Sequence, residues 1–171
     1  MNILFRAALV SALALSVAAC SQKTKPVEPE PAPPPPPAPV ETAPVSDGKY
    51  TPADLDTDSC LRQRVIYFDF DKDVLKPEFT AIVSCHAKYL RDRPSARVTL
   101  EGHADERGSR EYNMGLGERR GLSVSSSVQA NGAAASQLNV VSYGEERPVC
   151  TDSNESCWSQ NRRVEIIYTA K

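Results

Sequence analysis

The chain has 171 residues, with 20 lysines and arginines against 22 aspartates and glutamates, for a formal net charge of −2. The basic residues form no long run, which argues against nucleic acid as a partner. Once the proline-rich stretch described below is set aside, the remaining length suits one domain with a single core.

The N-terminus has the pattern of a secretory signal peptide. An apolar stretch over residues 7–19 is too short to span a bilayer as a stable helix. It ends in Val17-Ala18-Ala19-Cys20, which resembles the lipobox cut by bacterial lipoprotein signal peptidase. We therefore expect a signal peptide over residues 1–19 and acyl chains on Cys20, which would anchor the chain firmly to a membrane. By the same resemblance, Ser21 in place of aspartate indicates the outer membrane; an ordinary signal peptide with a chance cysteine is the alternative.

A proline-rich segment follows the signal peptide. Ten of the 14 prolines lie within residues 26–44, a composition that cannot bury a core and favours an extended polyproline conformation. At about 3.1 Å per residue, such a segment would span roughly 60 Å. We predict a lipidated N-terminus and linker over residues 20–59, with a proline-rich ligand for a partner domain as the less favoured interpretation.

Strand and helix patterns alternate in the rest of the chain and predict a folded domain over residues 60–171. Glycines and serines weaken the second helix, so tertiary packing must stabilise it. The order βαβαββ predicts an α+β fold with two helices packed on one face of a small mixed sheet. The predicted elements are strands at 64–70, 97–102, 139–143 and 163–169, helices at 77–94 and 109–130, and a long loop at 144–159.

Four cysteines remain in the domain when Cys20 is set aside: Cys60, Cys85, Cys150 and Cys157. An even number in a secreted chain indicates disulfides, and three pairings exist. We favour Cys150 with Cys157 because they flank a short polar loop, which leaves Cys60 with Cys85. Reduced Cys60 and Cys85, or a zinc site, are the alternatives; the absence of a CxxC spacing disfavours zinc.

A polar loop and a helix face supply the candidate binding residues. The loop, residues 102–108, joins the second strand to the second helix, where Asn113, Leu116 and Arg120 share one face directed at the sheet. Asp105 is the nearest candidate partner for the polar members of that face. A carboxylate and a guanidinium held apart suit a zwitterion, with Asp105 taking an ammonium and Arg120 a carboxylate. A direct Asp105–Arg120 ion pair is the simpler alternative.

Six sequence segments resemble the OmpA-like peptidoglycan-binding domain, and most closely the peptidoglycan-associated lipoproteins. They are residues 67–72, 102–108, 112–113, 116–120, 141–144 and 161–165. The resemblance implies a non-catalytic pocket, without cofactor, for diaminopimelate of the cell-wall stem peptide. It also implies membership of the Tol-Pal system, which serves envelope integrity and cell division, with TolB as a partner. The implied pocket residues are Asp105 and Arg120 for the ligand's ammonium and carboxylate, with Phe70, Asp71, Arg107, Asn113 and Leu116 around them.

The main alternative is a small phosphatase of the haloacid-dehalogenase type. A hydrophobic strand ending in Asp69-x-Asp71 is similar to the first motif of those enzymes, in which the first aspartate is the nucleophile. The further lysine and carboxylate motifs that they require are not found. The same aspartates also begin a pattern typical of a calcium-binding loop. That pattern requires Gly at its sixth position and Glu at its twelfth, where this chain has Val74 and Thr80. A metal-dependent hydrolase is disfavoured because His86 and His103 are the only histidines.

Overall fold

The computed structural model describes residues 48–171. The predicted signal peptide, Cys20 and most of the predicted linker lie outside the described residues. No helix within residues 48–171 is long and apolar enough to cross a membrane. The elements are α1 (Asp54–Thr57), β1 (Val65–Tyr67), a 3-10 turn (Pro77–Phe79) leading into α2 (Thr80–Asp92), β2 (Arg97–His103), α3 (Arg110–Ala130), a second 3-10 turn (Ala135–Gln137), β3 (Leu138–Gly144), α4 (Glu155–Asn161) and β4 (Arg163–Ala170).

The strands form one mixed sheet with the order β1-β4-β2-β3. β2 and β3 run parallel, since α3 provides the crossover between them, whereas β4 is antiparallel to both β1 and β2. The central position of β4 brings the C-terminal strand beside the loops that follow β1 and β2. The predicted α+β fold is confirmed.

The hydrophobic core lies between one face of this sheet and the helices α2 and α3. Alternate residues of each central strand point into the core, as expected for a sheet covered on one side. Both helices contribute an apolar stripe to the same cluster. The cluster includes Ile66, Val98, Leu100, Val164 and Ile166 from the sheet, with Val83, Ala87, Leu90, Val124 and Val128 from the helices.

Helix α3 packs unusually close to the sheet because glycines line the contact. A Cβ atom built on Gly102 of β2 would lie 1.9 Å from the carbonyl oxygen of Gly117 in α3. One built on Gly121 would lie 2.5 Å from Cγ1 of Val140. The glycines that lower the helix propensity of α3 therefore permit the close packing that stabilises it. This contact also fixes the start of α3 against the end of β2, where the candidate site lies.

The folded region begins before the predicted boundary at residue 60. Leu55, in the short helix α1, has no exposed surface and belongs to the core. The ring of Tyr50 lies 6.3 Å from that of Tyr89, and its backbone N–H donates to Asp92 at 2.9 Å. Residues 50–59 are thus part of the domain, because α1 covers one end of its core.

Helix α4 interrupts the segment that was predicted as a loop over residues 144–159. The side chain of Asn154 accepts a hydrogen bond from the backbone N–H of Cys157 at 3.1 Å and caps the helix. Asn161, at the other end, accepts from the backbone of Val149 at 2.9 Å and donates to the carbonyl of Cys150 at 2.7 Å. The segment is therefore a short helix fastened to its own preceding loop.

Two disulfides join the four domain cysteines in the pairing favoured from the sequence. Cys60 pairs with Cys85, with 6.3 Å between their Cα atoms, and Cys150 pairs with Cys157 at 5.2 Å. The first fastens the segment after α1 to helix α2. The second closes the loop in front of α4.

Candidate functional site

An open cavity of about 260 Å³ lies between the loop after β1, the loop after β2 and the first turns of α3. Six of the seven residues predicted to bind a ligand line it: Phe70, Asp71, Asp105, Arg107, Asn113 and Leu116. Gly108 and Tyr112 complete its wall. The structure thus gathers two separate sequence segments and one helix face into a single cavity.

Asp105 is the buried anion of the cavity, with only 4% of its surface exposed. Its Oδ1 accepts from the Arg107 backbone at 3.1 Å and from Arg107 Nε at 3.0 Å. Its Oδ2 accepts from Arg107 Nη2 at 2.8 Å and from Arg162 Nη1 at 3.3 Å. Burial by itself would raise the pKa of Asp105, but these hydrogen bonds outweigh it and hold the pKa below its ordinary value. Asp105 is therefore a carboxylate at neutral pH.

Arg120 lies behind the cavity and not in its wall, which differs from the prediction. The side chain has no exposed surface. It donates from Nε to the carbonyl of Lys72 at 2.8 Å, from Nη1 to that of His103 at 2.7 Å and from Nη2 to that of Asp69 at 3.1 Å. The alternative of a direct pair with Asp105 is not the arrangement in this structure, because the guanidinium binds three backbone carbonyls instead; the binding of a ligand carboxylate by Arg120 stays a prediction. Burial lowers the pKa of Arg120 to about 10, so it stays charged at neutral pH.

These three hydrogen bonds give Arg120 a positioning role. Two of the accepting carbonyls belong to the turn that carries Phe70 and Asp71. The third ends β2, directly before the loop that carries Asp105. Arg120 therefore ties together the two loops that form the cavity, and this explains why a fully buried arginine is found on the inner face of α3.

Arg162 is a site residue that was not singled out from the sequence. Its Nε donates to the carbonyl of Phe68 at 3.1 Å, and its other nitrogens pair with Asp105 and, at 2.6 Å, with Glu155. Only its place in a segment resembling the OmpA-like family marked it. Its partners lie far away in sequence, so no local pattern indicated its contact with Asp105.

Arg107 lies between two aromatic rings at the mouth of the cavity. Its guanidinium carbon is 4.0 Å from the ring centroid of Phe70 and 4.1 Å from that of Trp158. Trp158 in turn donates its indole N–H to Glu106 at 3.0 Å. Helix α4, which carries Trp158, thus contacts the site through Arg107, and this cation–π contact helps to hold the guanidinium over Asp105.

The opposite side of the cavity carries further polar groups. Asp71 has a φ of 54°, a left-handed conformation that aspartate tolerates better than most residues. It accepts a hydrogen bond from the hydroxyl of Tyr112. The Asn113 side chain donates to Glu145, and not to Asp105 as was expected. The cavity therefore offers an apolar wall, from Phe70 and Leu116, beside charges of both signs.

His103 precedes the site and is buried without hydrogen bonds to its ring. Its ring stacks on Tyr143, with 5.6 Å between the centroids. Neither ring nitrogen has a hydrogen-bond partner within residues 48–171. Burial lowers the pKa of His103 to about 4, and burial also lowers the pKa of His86. Both histidines are therefore neutral in the folded chain at pH 7.

We expect the domain to lose stability as the pH falls from about 6.5 toward 4. In that window an unfolded histidine binds a proton that folded His103 does not, so protonation favours the unfolded chain. The full effect for His103 is about 3 kcal/mol. Urea unfolding of the wild type and His103→Phe at pH 7 and pH 4 would measure it. The variant should lose less stability than the wild type, and equal losses in the two proteins would contradict this assignment.

Comparison with known proteins places the chain in a family. A profile described as the OmpA family matches residues 67–162. The chain belongs to the OmpA family. The matched range contains every residue that lines the cavity, together with Arg120 and Arg162.

Relatives of this OmpA-family chain are named peptidoglycan-associated lipoproteins. One from Haemophilus influenzae is 36% identical over 168 residues, which cover 98% of this chain and 100% of the relative. One from Pseudomonas aeruginosa is 52% identical over 100 residues, which are 58% of this chain and only 59% of the relative. The resemblance to peptidoglycan-associated lipoproteins is confirmed, and these relatives are named as lipoproteins, not as enzymes.

Solved structures agree with this family assignment. The peptidoglycan-associated lipoprotein from Burkholderia pseudomallei has a TM-score of 0.65 and 37% identity, covering 66% of this chain and 96% of that one. The C-terminal domain of Helicobacter pylori MotB has a TM-score of 0.57 at 20% identity, covering 62% of this chain and 83% of that domain. The second likeness concerns the fold alone.

Asp69 and Asp71, the two aspartates of the phosphatase-like motif, have separate partners in the structure. Asp69 is largely exposed and lies 3.5 Å from the ammonium of Lys76, whereas Asp71 is bound by Tyr112. Within residues 48–171 no group of three or more metal-binding side chains occurs. The two aspartates therefore do not converge with the further carboxylates that such enzymes use.

Proposed function

We propose that this chain is an outer-membrane lipoprotein that binds peptidoglycan without cleaving it. The ligand group is the diaminopimelate of the stem peptide, held in the cavity beside Asp105. The names of its relatives support peptidoglycan as the polymer. The single observation that carries the proposal is the buried, ionised Asp105 at the base of an open cavity that also carries a guanidinium.

The cavity has the properties needed for a free amino-acid end. A carboxylate that is buried binds an ammonium more strongly than one in water, because solvent screens it less. Phe70 and Leu116 offer apolar surface for the methylene chain that links the two ends of diaminopimelate. Arg107, in the same wall, supplies the donors that suit a carboxylate.

The rest of the chain supports a tethering role. The predicted acyl chains on Cys20 would hold the N-terminus in the outer membrane, and the proline-rich segment would let the domain reach the wall. Such a protein links membrane to wall by binding at both ends. We propose that it acts within the Tol-Pal system, with TolB as a protein partner, in envelope integrity and cell division.

Sedimentation with isolated sacculi tests the proposal. The detergent-solubilised full-length chain should pellet with sacculi that contain diaminopimelate, and free diaminopimelate should release it. No soluble wall fragments should appear, because the site holds no catalytic group. Sacculi whose stem peptides carry lysine, which lacks the second carboxylate, serve as the matched control and should retain less protein. Equal retention on both walls, or release of fragments, would contradict the proposal.

A further inference from the structure

We infer that Arg107 occupies the ammonium position on Asp105 in the unliganded protein, and that its displacement makes the site selective for zwitterions. This inference rests on the proposed function and names how that same site chooses its ligand. The contacts of Asp105 are the starting point.

The acceptor capacity of Asp105 is already filled. An ionised carboxylate has about four lone-pair sites. Oδ1 receives the backbone N–H and Nε of Arg107, and Oδ2 receives Nη2 of Arg107 and Nη1 of Arg162. An incoming ammonium can bind Asp105 only if one of these donors leaves.

Arg107 is the donor that can leave. Its side chain is 30% exposed, whereas that of Arg162 is 7% exposed. Arg162 is also fixed by the carbonyl of Phe68 and by Glu155. The remaining contacts of the Arg107 guanidinium are with the rings of Phe70 and Trp158 and, at 3.6 Å, with the exposed carboxylate of Glu155.

Displacement has a cost that depends on the ligand. Once off Asp105, Arg107 keeps only Glu155, whose carboxylate already lies 3.6 Å from its Nη1; Glu155 is 62% exposed and also pairs with Arg162, so it compensates poorly for the loss of Asp105. A ligand carboxylate next to its ammonium supplies that anion. A diamine displaces Arg107 without giving it a new anionic partner, and a plain dicarboxylate brings no ammonium to replace Arg107 on Asp105. A zwitterion replaces the Asp105–Arg107 ion pair with two new ones, because its ammonium pairs with Asp105 and its carboxylate pairs with Arg107.

Three ligands that share the same five-carbon segment test this exchange by calorimetry: diaminopimelate, 1,5-diaminopentane, which lacks both carboxylates, and pimelate, which lacks both ammonium groups. The wild-type full-length chain should bind diaminopimelate and neither of the others measurably. Arg107→Gln frees Asp105, so it should bind 1,5-diaminopentane at least tenfold more tightly than the wild type does, and its preference for diaminopimelate should shrink. The matched control is Arg110→Gln, which removes an exposed guanidinium paired with Glu146 outside the cavity and should leave the preference unchanged.

A second measurement needs no variant. The Nε–H resonance of Arg107 in the wild type should shift when diaminopimelate is added and stay in place with pimelate. An unmoved resonance at saturation, or an Arg107→Gln chain that folds and keeps the wild-type preference, would overturn the inference while leaving binding to sacculi intact. Loss of wild-type binding to sacculi would instead count against the proposed function.

Discussion

Replacing Arg120 with alanine is expected to lower the free energy of unfolding by about 3–5 kcal/mol. The substitution removes a fully buried side chain and leaves a cavity in its place. It also strips three backbone carbonyls, those of Asp69, Lys72 and His103, of their charged donor. The contact with His103 is buried, and a buried acceptor left without a partner costs more than the net value of the hydrogen bond that is lost.

Urea unfolding measures this effect, with Arg119→Ala as the matched control. Arg119 is the neighbouring arginine on α3, is partly exposed and pairs with Asp73 at 3.1 Å; its loss should change stability by less than about 1 kcal/mol. Arg120→Lys should recover little of the lost stability, because one ammonium group cannot donate to all three carbonyls as the forked guanidinium does. If Arg120→Ala unfolded at the wild-type urea concentration, Arg120 would not be the tie between the two loops.

Replacing Asp105 with asparagine is expected to weaken binding to diaminopimelate-containing sacculi by roughly thirtyfold, which corresponds to about 2 kcal/mol. The change keeps the shape of the side chain and removes the charge that would pair with the ligand's ammonium. Arg162 keeps Glu155 and the carbonyl of Phe68 as partners, so the fold should survive.

Quantitative pelleting at a series of protein concentrations measures this loss. Asp73→Asn is the matched control, because Asp73 lies near the same loop but outside the cavity and is partly exposed. Circular dichroism should show both variants folded. An Asp105→Asn chain that pellets like the wild type would remove Asp105 from the site.

Strong periodic patterns account for the parts of the fold that could be predicted. The helix face with Asn113, Leu116 and Arg120 was predicted to point at the sheet, and all three residues are buried. The two long helices and four strands follow from similar signals. The extra helices are short, α1 with 4 residues and α4 with 7, and a helix of that length has no readable period and depends on tertiary contacts.

The sequence could predict which residues line the site, but not which of them form ion pairs and hydrogen bonds with each other. Asp105, Asn113 and Leu116 lie in one loop and on the helix that follows it, whereas the resemblance to the OmpA-like domain placed Phe70, Asp71 and Arg107 in the same pocket. Which arginine meets Asp105 depends on tertiary structure. The chain places Arg107 and Arg162 there and turns Arg120 to backbone carbonyls.

The most direct test of the binding account is a structure of the chain with free diaminopimelate. One ammonium nitrogen of the ligand should lie about 3 Å from an oxygen of Asp105, with Arg107 moved off that carboxylate and onto the adjacent ligand carboxylate. Diaminopimelate bound away from the cavity at saturation, with the Asp105–Arg107 pair intact, would contradict the account.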